Sequence, residues 1–411
     1  MRIAVVGTGV AGSYLLNRIP KEHEVTAFEM REAGKWWAVC AWGTSAPFIS
    51  DLVAKAGMNF EDYILFRGKS MIVDPGNGKD TFNINLNGLV TFNKTGLFGD
   101  MKKGKDVRYG SHITDVKDLK GFDLVIDATG FHRSLMPKLE HDVAIPCFEV
   151  EVEGKFPWND FYIRPYPSLS GYFWYFPLGE GRGHIGAGDF RAQYRGEIEA
   201  MVKKYDWKVV RRIGRPVRIL PPAYMGPFYT EPKCMTCGRT VHNTRILKEQ
   251  RTLARSAVAT SVSSSGAQVS TLVEGNGASS GNGRAGRRNG RNGHQWCDCP
   301  TPSPDGPIVV GVGESIGTVY PLLGEGIIPS MQCVNLFVDH MNDMEAYSKA
   351  VLKHYDVYAK VYRFIKAKMD GKFSVLGQFP DLWGIYWHMR TNERRYGLET
   401  HLRDILKVTG V

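Results

Sequence analysis

The stretch from Arg2 to Glu29 constrains the fold more than any other. Ile3, Ala4, Val5 and Val6 form an unbroken apolar run, the pattern of a strand buried on both faces of a parallel sheet. Gly7, Gly9 and Gly12 follow at once in the spacing G-x-G-x-x-G. Ser13 to Ile19 read as a helix whose Tyr14, Leu15 and Leu16 can pack inward, and Val25 to Phe28 read as a second strand ending at Glu29. In such a unit the first glycine permits a tight turn and the second lets the backbone approach a pyrophosphate. The third lets the helix lie close to the strand. The helix N-terminus offers free N–H groups to phosphates. Glu29, about 20 residues on, is placed to accept hydrogen bonds from ribose hydroxyls. Strand, glycines, helix and acidic residue together predict dinucleotide binding.

A chain of 411 residues is long enough for two domains or one large interlocked unit. Hydrophobic residues make up 43%, ordinary for a globular protein. No apolar run reaches the roughly 18 residues a membrane span needs. A strand beginning at residue 2 leaves no room for a signal peptide. The expected location is therefore the cytoplasm, with the 7 cysteines mostly reduced thiols. Much of the net charge of +10 sits in one segment, where Arg239, Arg245, Lys248, Arg251, Arg255, Arg284, Arg287, Arg288 and Arg291 face few acidic residues. The remainder is mildly basic, compatible with an anionic membrane surface or phosphorylated substrates.

After Glu29, residues Gly34 to Ser45 form an aromatic, glycine-flanked loop holding Trp36, Trp37, Cys40 and Trp42. It reads either as a hydrophobic plug or as a cofactor-facing loop with Cys40 near the chemistry. It leads into a helix near Ser50 to Ala56. Residues 60–93 read as antiparallel strands, with a turn at Asp74-Pro75-Gly76-Asn77-Gly78 and period-two alternation from Thr81 to Leu86. Lys94 to Met101 reads as a short helix and Val107 to Ile113 as a strand. Asp123 to Ala128 is a buried strand returning to the first sheet, ending in Thr129-Gly130. Residues 141–220 are β-rich and aromatic, with strands at Phe148 to Val152, Asp160 to Arg164 and Val217 to Leu220, and a helix at Glu197 to Tyr205.

Residues 234–305 are rich in Ser, Gly, Asn and Arg with few core formers. Such a segment cannot bury enough apolar area to offset its ordering entropy and reads as a disordered insertion. Cys234-x-x-Cys237 and Cys297-x-Cys299, with His242 or His294 nearby, raise the question of a zinc clip. The second pair lacks the spacing of common zinc ribbons, and no metal is expected. The Gly/Arg tract around Arg284 to Arg291 is not expected to make this a nucleic-acid-binding protein. Folded sequence resumes at Pro307 with the strand Ile308-Val309-Val310. Pro321 to Ile327 opens a helix running to about Met341. Beyond it, Tyr347, Val351, Tyr355, Tyr358, Tyr362, Ile365 and Met369 recur at steps of three and four, one apolar helical stripe. Lys349, Lys353, Lys360, Arg363 and Lys366 lie off it, a solvated face or one meeting lipid phosphates.

Three motifs give the chain a resemblance to the geranylgeranyl reductase family of flavoproteins, within the p-hydroxybenzoate hydroxylase fold group. The first is Gly7-x-Gly9-x-x-Gly12 with Glu29. The second is Gly313-Glu314 with Pro321-x-x-Gly324-Glu325-Gly326-Ile327. The most specific is Tyr172-x-Trp174-x-Phe176-Pro177 followed by Gly186-x-Gly188. The resemblance covers nearly everything outside residues 234–305. It implies an α/β fold in which a Rossmann-like FAD-binding domain is interleaved with an antiparallel β-sheet substrate domain, plus a C-terminal helical region. The FAD-binding parts fall at 1–59, 94–140 and 306–342, the substrate domain at 60–93 and 141–233, and the helical region at 343–411. FAD would be held by Gly7, Gly9, Gly12, Glu29, Gly130, Gly313, Glu314, Gly324, Gly326 and Ile327. Where the family usually has Asp, this chain has Glu314. Cys40 sits where relatives carry a Cys-Gly motif beside the flavin, although Ala41 replaces that glycine.

The reaction implied is saturation of isoprenoid double bonds in a membrane lipid or its precursor, with electrons from NAD(P)H or ferredoxin. An unactivated alkene has no polar handle and must be held by shape. Tyr172, Trp174 and Phe176 alternate along a strand, so they share one face and can line an apolar channel. Trp42 and Pro177 would join them, and Gly186 and Gly188 would keep the opposite wall free of side chains. Cys40, or a water it holds, is the candidate proton donor. The protein is expected to act peripherally at the membrane surface. A flavin monooxygenase of the same fold and a non-catalytic electron-carrying flavoprotein are the competing readings.

Overall fold

A computed structural model describes residues 1–38, 40–76, 81–191, 194–241, 296–299 and 304–409. The described strands are β1 (Arg2–Val6), β2 (Glu24–Glu29), β3 (Gly43–Ser45), β4 (Ile64–Arg67), β5 (Ser70–Val73), β6 (Phe82–Asn85), β7 (Leu89–Phe92) and β8 (Val107–Tyr109). They continue as β9 (Leu124–Asp127), β10 (Ala144–Glu153), β11 (Phe161–Pro165), β12 (Gly171–Gly179), β13 (Arg182–Asp189), β14 (Lys208–Arg218), β15 (Tyr229–Thr230) and β16 (Ile308–Gly311). The helices are α1 (Val10–Leu15), α2 (Ala46–Ala54), α3 (Lys94–Asp100), α4 (Arg195–Lys204) and α5 (Ile327–Asp339). The C-terminal region adds α6 (Met344–His354), α7 (Asp356–Met369), α8 (Val375–Thr391), α9 (Glu393–Tyr396) and α10 (Leu402–Thr409).

The first sheet has the order β15-β16-β9-β1-β2-β8 and is parallel except for β15. The middles of its central strands are apolar because helices and loops cover both faces; Ile3, Ala4, Val5, Leu124, Val125, Ile126, Ile308 and Val310 are fully buried. The second sheet, β14-β10-β13-β12-β11-β5-β6, is antiparallel except between β11 and β5. On β12, Phe173 and Tyr175 point to a core shared with Val150, Val152 and Ile198 of α4. A three-stranded sheet, β3-β7-β4, lies beside them. This is the α/β architecture expected, with a parallel nucleotide-type sheet interleaved with an antiparallel one and a helical C-terminal region.

Several local readings shift. The first helix begins at Val10 and the second at Ala46, several residues early, and β14 starts at Lys208 rather than Val217. Residues 60–93 divide between two sheets, β4 and β7 in one and β5 and β6 in the other. The C-terminal stripe spans two helices meeting at Tyr355, yet it holds. Tyr347, Val351, Tyr355, Tyr358 and Ile365 are all buried, because the break leaves the three- and four-residue steps intact. The segment expected to be disordered from residue 234 is folded at both ends. Cys234 and Val241 are buried, and Cys237, Cys297 and Cys299 pack against the same core. His242, His294 and the Arg284–Arg291 tract lie outside the described residues.

Tyr347 fastens the C-terminal helices to the first sheet. Its hydroxyl donates to the Gly311 carbonyl at 2.9 Å and lies 3.2 Å from Cys333 Sγ. Tyr347→Phe leaves that buried carbonyl without its donor, and is expected to lower unfolding free energy in urea by about 1–2 kcal/mol. An unchanged urea midpoint would show that the hydrogen bond contributes nothing net.

Candidate functional site

The glycine motif forms a cradle at the C-terminal end of β1. Gly7 has φ +91°, and a Cβ there would stand 2.7 Å from the Ala128 carbonyl oxygen. A Cβ on Gly12 would stand 1.9 Å from the Gly7 carbonyl oxygen, so α1 lies directly on the turn. A Cβ on Gly9 would meet nothing within 4 Å. The middle glycine therefore borders open space, as required where a pyrophosphate approaches. Gly9 caps α1 without a side-chain hydrogen bond, leaving first-turn N–H groups for a ligand. Glu29 is buried; its Oε2 accepts from Thr8 N (3.1 Å) and Thr8 Oγ1 (2.6 Å), its Oε1 from Arg31 N (3.0 Å). These bonds fix the carboxylate beside Thr8, inside the glycine motif.

The turns after β9 and β16 reach the same end of the sheet. Gly130 (φ +64°) lies under Glu314, and a Cβ there would stand 3.1 Å from Glu314 Oε2. Gly313 (φ +71°) lies against α1, where a Cβ would stand 2.9 Å from that of Ala11. Glu314 Oε1 accepts from Arg218 N at 3.2 Å, and Oε2 lies 3.7 Å from Arg215 Nη2. Ligands of open α/β sheets bind at this end, so the chain's three glycine turns converge where a dinucleotide would lie.

Next to the turns is an apolar cavity of about 320 Å³. Cys40, Trp42, Tyr172, Trp174, Phe176 and Gly188 line it, with Gly324, Glu325, Gly326 and Ile327 at one end. Arg215 lines it too and connects it to Glu314. The Tyr172 hydroxyl donates to the Leu323 carbonyl at 2.6 Å, and Gly324 follows with φ +61°. Gly326 and Ile327 start α5. The 40s loop lies on this row. Cys40 (φ 107°) and Trp42 (φ 61°) both occupy the left-handed region, and a Cβ on Gly43 would stand 2.4 Å from the Phe176 ring. Cys40 Sγ lies 3.1 Å from Lys94 Nζ. Of this loop, Cys40 and Trp42 line the cavity, while Trp36 and Trp37 do not.

Two expectations for the substrate residues need correction. Gly186 and Gly188 form no opposite wall. Strands β12 and β13 are neighbours, with Trp174 paired to Gly186 and Tyr172 to Gly188. Cross-strand partners share a face. A Cβ on Gly186 would stand 2.2 Å from the Trp174 indole, one on Gly188 2.6 Å from Cys147 Sγ; these glycines make room for neighbours. Pro177 does not line the cavity; its carbonyl accepts from Thr91 Oγ1.

The sequence reading missed the cavity's far wall. Ile365, Met389, Arg395, Tyr396, Leu398 and Ile405 come from the C-terminal helices and their connections. Arg395 is buried, donates to the Tyr358 hydroxyl, and lies 3.6 Å from Glu325 Oε2. Burial pushes the Glu325 carboxyl up to about 7, against the pull of Arg395. Glu325 Oε1 accepts from Ile328 N at 2.9 Å, capping α5. Nothing in the local sequence of 343–411 marks these residues; only packing brings them here. The reading assigned no metal, on spacing alone, yet the Sγ atoms of Cys234, Cys237, Cys297 and Cys299 lie within 4.8 Å of one another.

No protein-family model matches this sequence, and no curated protein does. Solved structures match its fold. A geranylgeranyl bacteriochlorophyll reductase-like protein from Thermoplasma acidophilum superimposes with TM-score 0.60 at 12% identity, covering 98% of both chains. A probable FAD-dependent monooxygenase from Pseudomonas aeruginosa gives 0.51 at 12% identity, over 92% of this chain and 99% of that one. Klebsiella pneumoniae HpxO, complexed with FAD, gives 0.52 at 13% identity, over 100% and 98%. At such identities the likeness establishes the fold, one shared by FAD-dependent redox proteins.

The residues present suit such a dinucleotide. The open side of Gly9 admits it, and a second feature points the same way. Lys102 is buried, its Nζ 3.0 Å from the centre of the Trp36 ring and without a hydrogen-bond partner in the structure. Burial pushes its ammonium down to about 7, against the pull of Glu29. A bound diphosphate would favour the charged form and raise that value. Above about pH 7 binding then takes up a proton. FAD affinity of the flavin-free protein is expected to fall by up to about tenfold per pH unit there, and to be flat below. Fluorescence titration across this range checks it, with Lys102→Met expected to remove the dependence.

Proposed function

We propose that the chain is an FAD-dependent oxidoreductase that saturates isoprenoid double bonds of a membrane lipid or its precursor, with electrons from NAD(P)H or ferredoxin. The observation that carries this reading is the apolar cavity. A row of Tyr172, Trp174 and Phe176 runs along it to Gly324–Ile327 and Cys40. The fold shared with the reductase-like protein from Thermoplasma acidophilum supports it.

Gly7, Gly9, Gly12, Glu29, Gly130, Gly313 and Glu314 would hold FAD, and reduced FAD supplies a hydride when bound. The aromatic row grips a prenyl chain by shape, while Ile365, Met389 and Tyr396 close the cavity against water. Tyr172 holds the loop at Gly324 in place through the Leu323 carbonyl. The alkene accepts the hydride at one carbon and a proton at the other. Cys40 Sγ delivers that proton, and Lys94 Nζ, 3.1 Å away, replaces it.

The test is anaerobic. The protein, reduced with dithionite, is mixed with a geranylgeranyl phospholipid while flavin absorbance is followed and the lipid is weighed. Flavin reoxidation with two hydrogens gained per reduced bond is expected, and Cys40→Ala should slow it by about 100-fold with flavin content unchanged. Full turnover in Cys40→Ala would move the proton to another group, Glu325 being the nearest in kind. Reoxidation only when oxygen is admitted, with no hydrogen gained, would overturn the reductase in favour of monooxygenation.

Access to lipid comes from α8. Leu376, Phe379, Trp383 and Trp387 are exposed at steps of three and four, and Leu376 is 92% exposed. Such a ridge suits the bilayer interface, where tryptophan is favoured. Among the described residues no helix is long and apolar enough to cross a membrane. The basic face beside the C-terminal stripe is a weaker anchor. Lys349, Lys360, Arg363 and Lys366 pair with Glu345, Asp356, Asp381 and Asp370. The wild type is expected to float with phospholipid vesicles. Trp383→Ser with Trp387→Ser should remain in solution while reducing detergent-dispersed lipid at the wild-type rate. Undiminished flotation would rule the ridge out as the anchor.

A further inference from the structure

Four of the seven cysteines meet at the edge of the first sheet, away from the cavity, where nothing in the proposed reaction uses them. Cys234 follows β15 by four residues, and Cys297 and Cys299 come shortly before β16, so residues 238–296 leave and return at this point. We infer that Cys234, Cys237, Cys297 and Cys299 form a tetrathiolate site for one zinc ion, which clips the insertion's two ends together.

The geometry is that of a metal site, not of disulfides. A tetrahedral zinc with Zn–S bonds of about 2.3 Å separates its sulfurs by roughly 3.8 Å. Cys234 Sγ and Cys299 Sγ lie 3.9 Å apart, and all four sulfurs are within 4.8 Å of one another. A disulfide needs about 2.05 Å. The backbone is shaped to hold the sulfurs there. Cys234-Met235-Thr236-Cys237-Gly238 folds into a tight turn, with Gly238 at φ +68° and its N–H donating to the Cys234 carbonyl at 2.7 Å. Cys234 N–H donates to the Arg239 carbonyl at 2.8 Å. The second arm is pinned alongside: Cys297 N–H donates to the Thr240 carbonyl at 2.9 Å, and Arg239 pairs with Asp298 at 3.0 Å. Lys233 N–H donates to Asp305 Oδ1 at 2.8 Å, closing the base below the cluster.

Four soft thiolates in a tetrahedron select zinc or iron, and at equilibrium zinc(II) binds more tightly than iron(II). The site is closed, with four protein ligands and no open position, so its role is structural. Metal–ligand bonds would offset the entropic cost of closing the long loop between Cys237 and Cys297, and β15 pairs with β16 immediately beside the site. Because β16 leads into Gly313 and Glu314, the clip braces the edge of the sheet that carries the glycine turns.

Elemental analysis of the flavin-loaded protein, purified without added metal, is expected to find about one zinc per chain. Cys234→Ser with Cys299→Ser should bind none, and Cys147→Ser should keep its full complement. If the double variant does not fold, wild-type protein stripped with a chelator under reducing conditions is titrated with cobalt(II) instead. The intense visible bands of tetrahedral thiolate-bound cobalt, saturating at one equivalent, are expected. A metal-free protein that neither rebinds zinc nor yields those bands would overturn the inference. So would a Cys234–Cys299 disulfide in peptides of the unreduced protein, or stoichiometric iron in place of zinc.

Discussion

The close seat of α1 on its own turn is the contact on which the rest of the structure depends. With only 1.9 Å between a hypothetical Gly12 Cβ and the Gly7 carbonyl oxygen, no other residue fits without moving the helix. That approach sets α1 against β1 and β9, and through Ala11 it sets the depth at which Gly313 lies. The three turns at the ends of β1, β9 and β16 are thereby held at one height. Asp127 secures the middle one, accepting from Thr129 N at 3.0 Å and from Leu135 N at 2.8 Å.

From that platform the antiparallel sheet and the C-terminal helices enclose the cavity. The sheet supplies one wall as a row of aromatic side chains. The helices supply the other and bring Arg395 into the interior. A buried cation is costly unless paired. Arg395 is paired, with Glu325 on the loop before α5 and with Tyr358, so the helical region is tied to the loop at Gly324 that lines the cavity. Displacing those helices from the loop would break the Arg395–Glu325 pair.

The glycine motif, Glu29, the buried strands and the aromatic alternation were legible because each is a local pattern with a local cause. Backbone turns select glycine, parallel strands are apolar, and alternate residues share a face. The roles of Gly186 and Gly188 were not, since which side chain fills the space above a glycine depends on strand register. The metal question shows the same limit. The spacing of Cys297 and Cys299 argued against a clip. Spacing along the chain says little when the two arms come from opposite ends of a long insertion.

By itself, the sequence determined the β1-α1-β2 unit, the strand that returns as β9, the row of Tyr172, Trp174 and Phe176, and the apolar stripe from Tyr347 to Ile365. Each follows from steric or hydrophobic rules acting over a few residues. Only the tertiary structure decided that Arg215 joins Glu314 to the cavity, that Lys102 is buried beside Glu29, that residues beyond 360 form the cavity's far wall, and that four distant cysteines meet. Those outcomes depend on how whole elements pack, and burial of apolar surface, which drives that packing, has no direction along the chain.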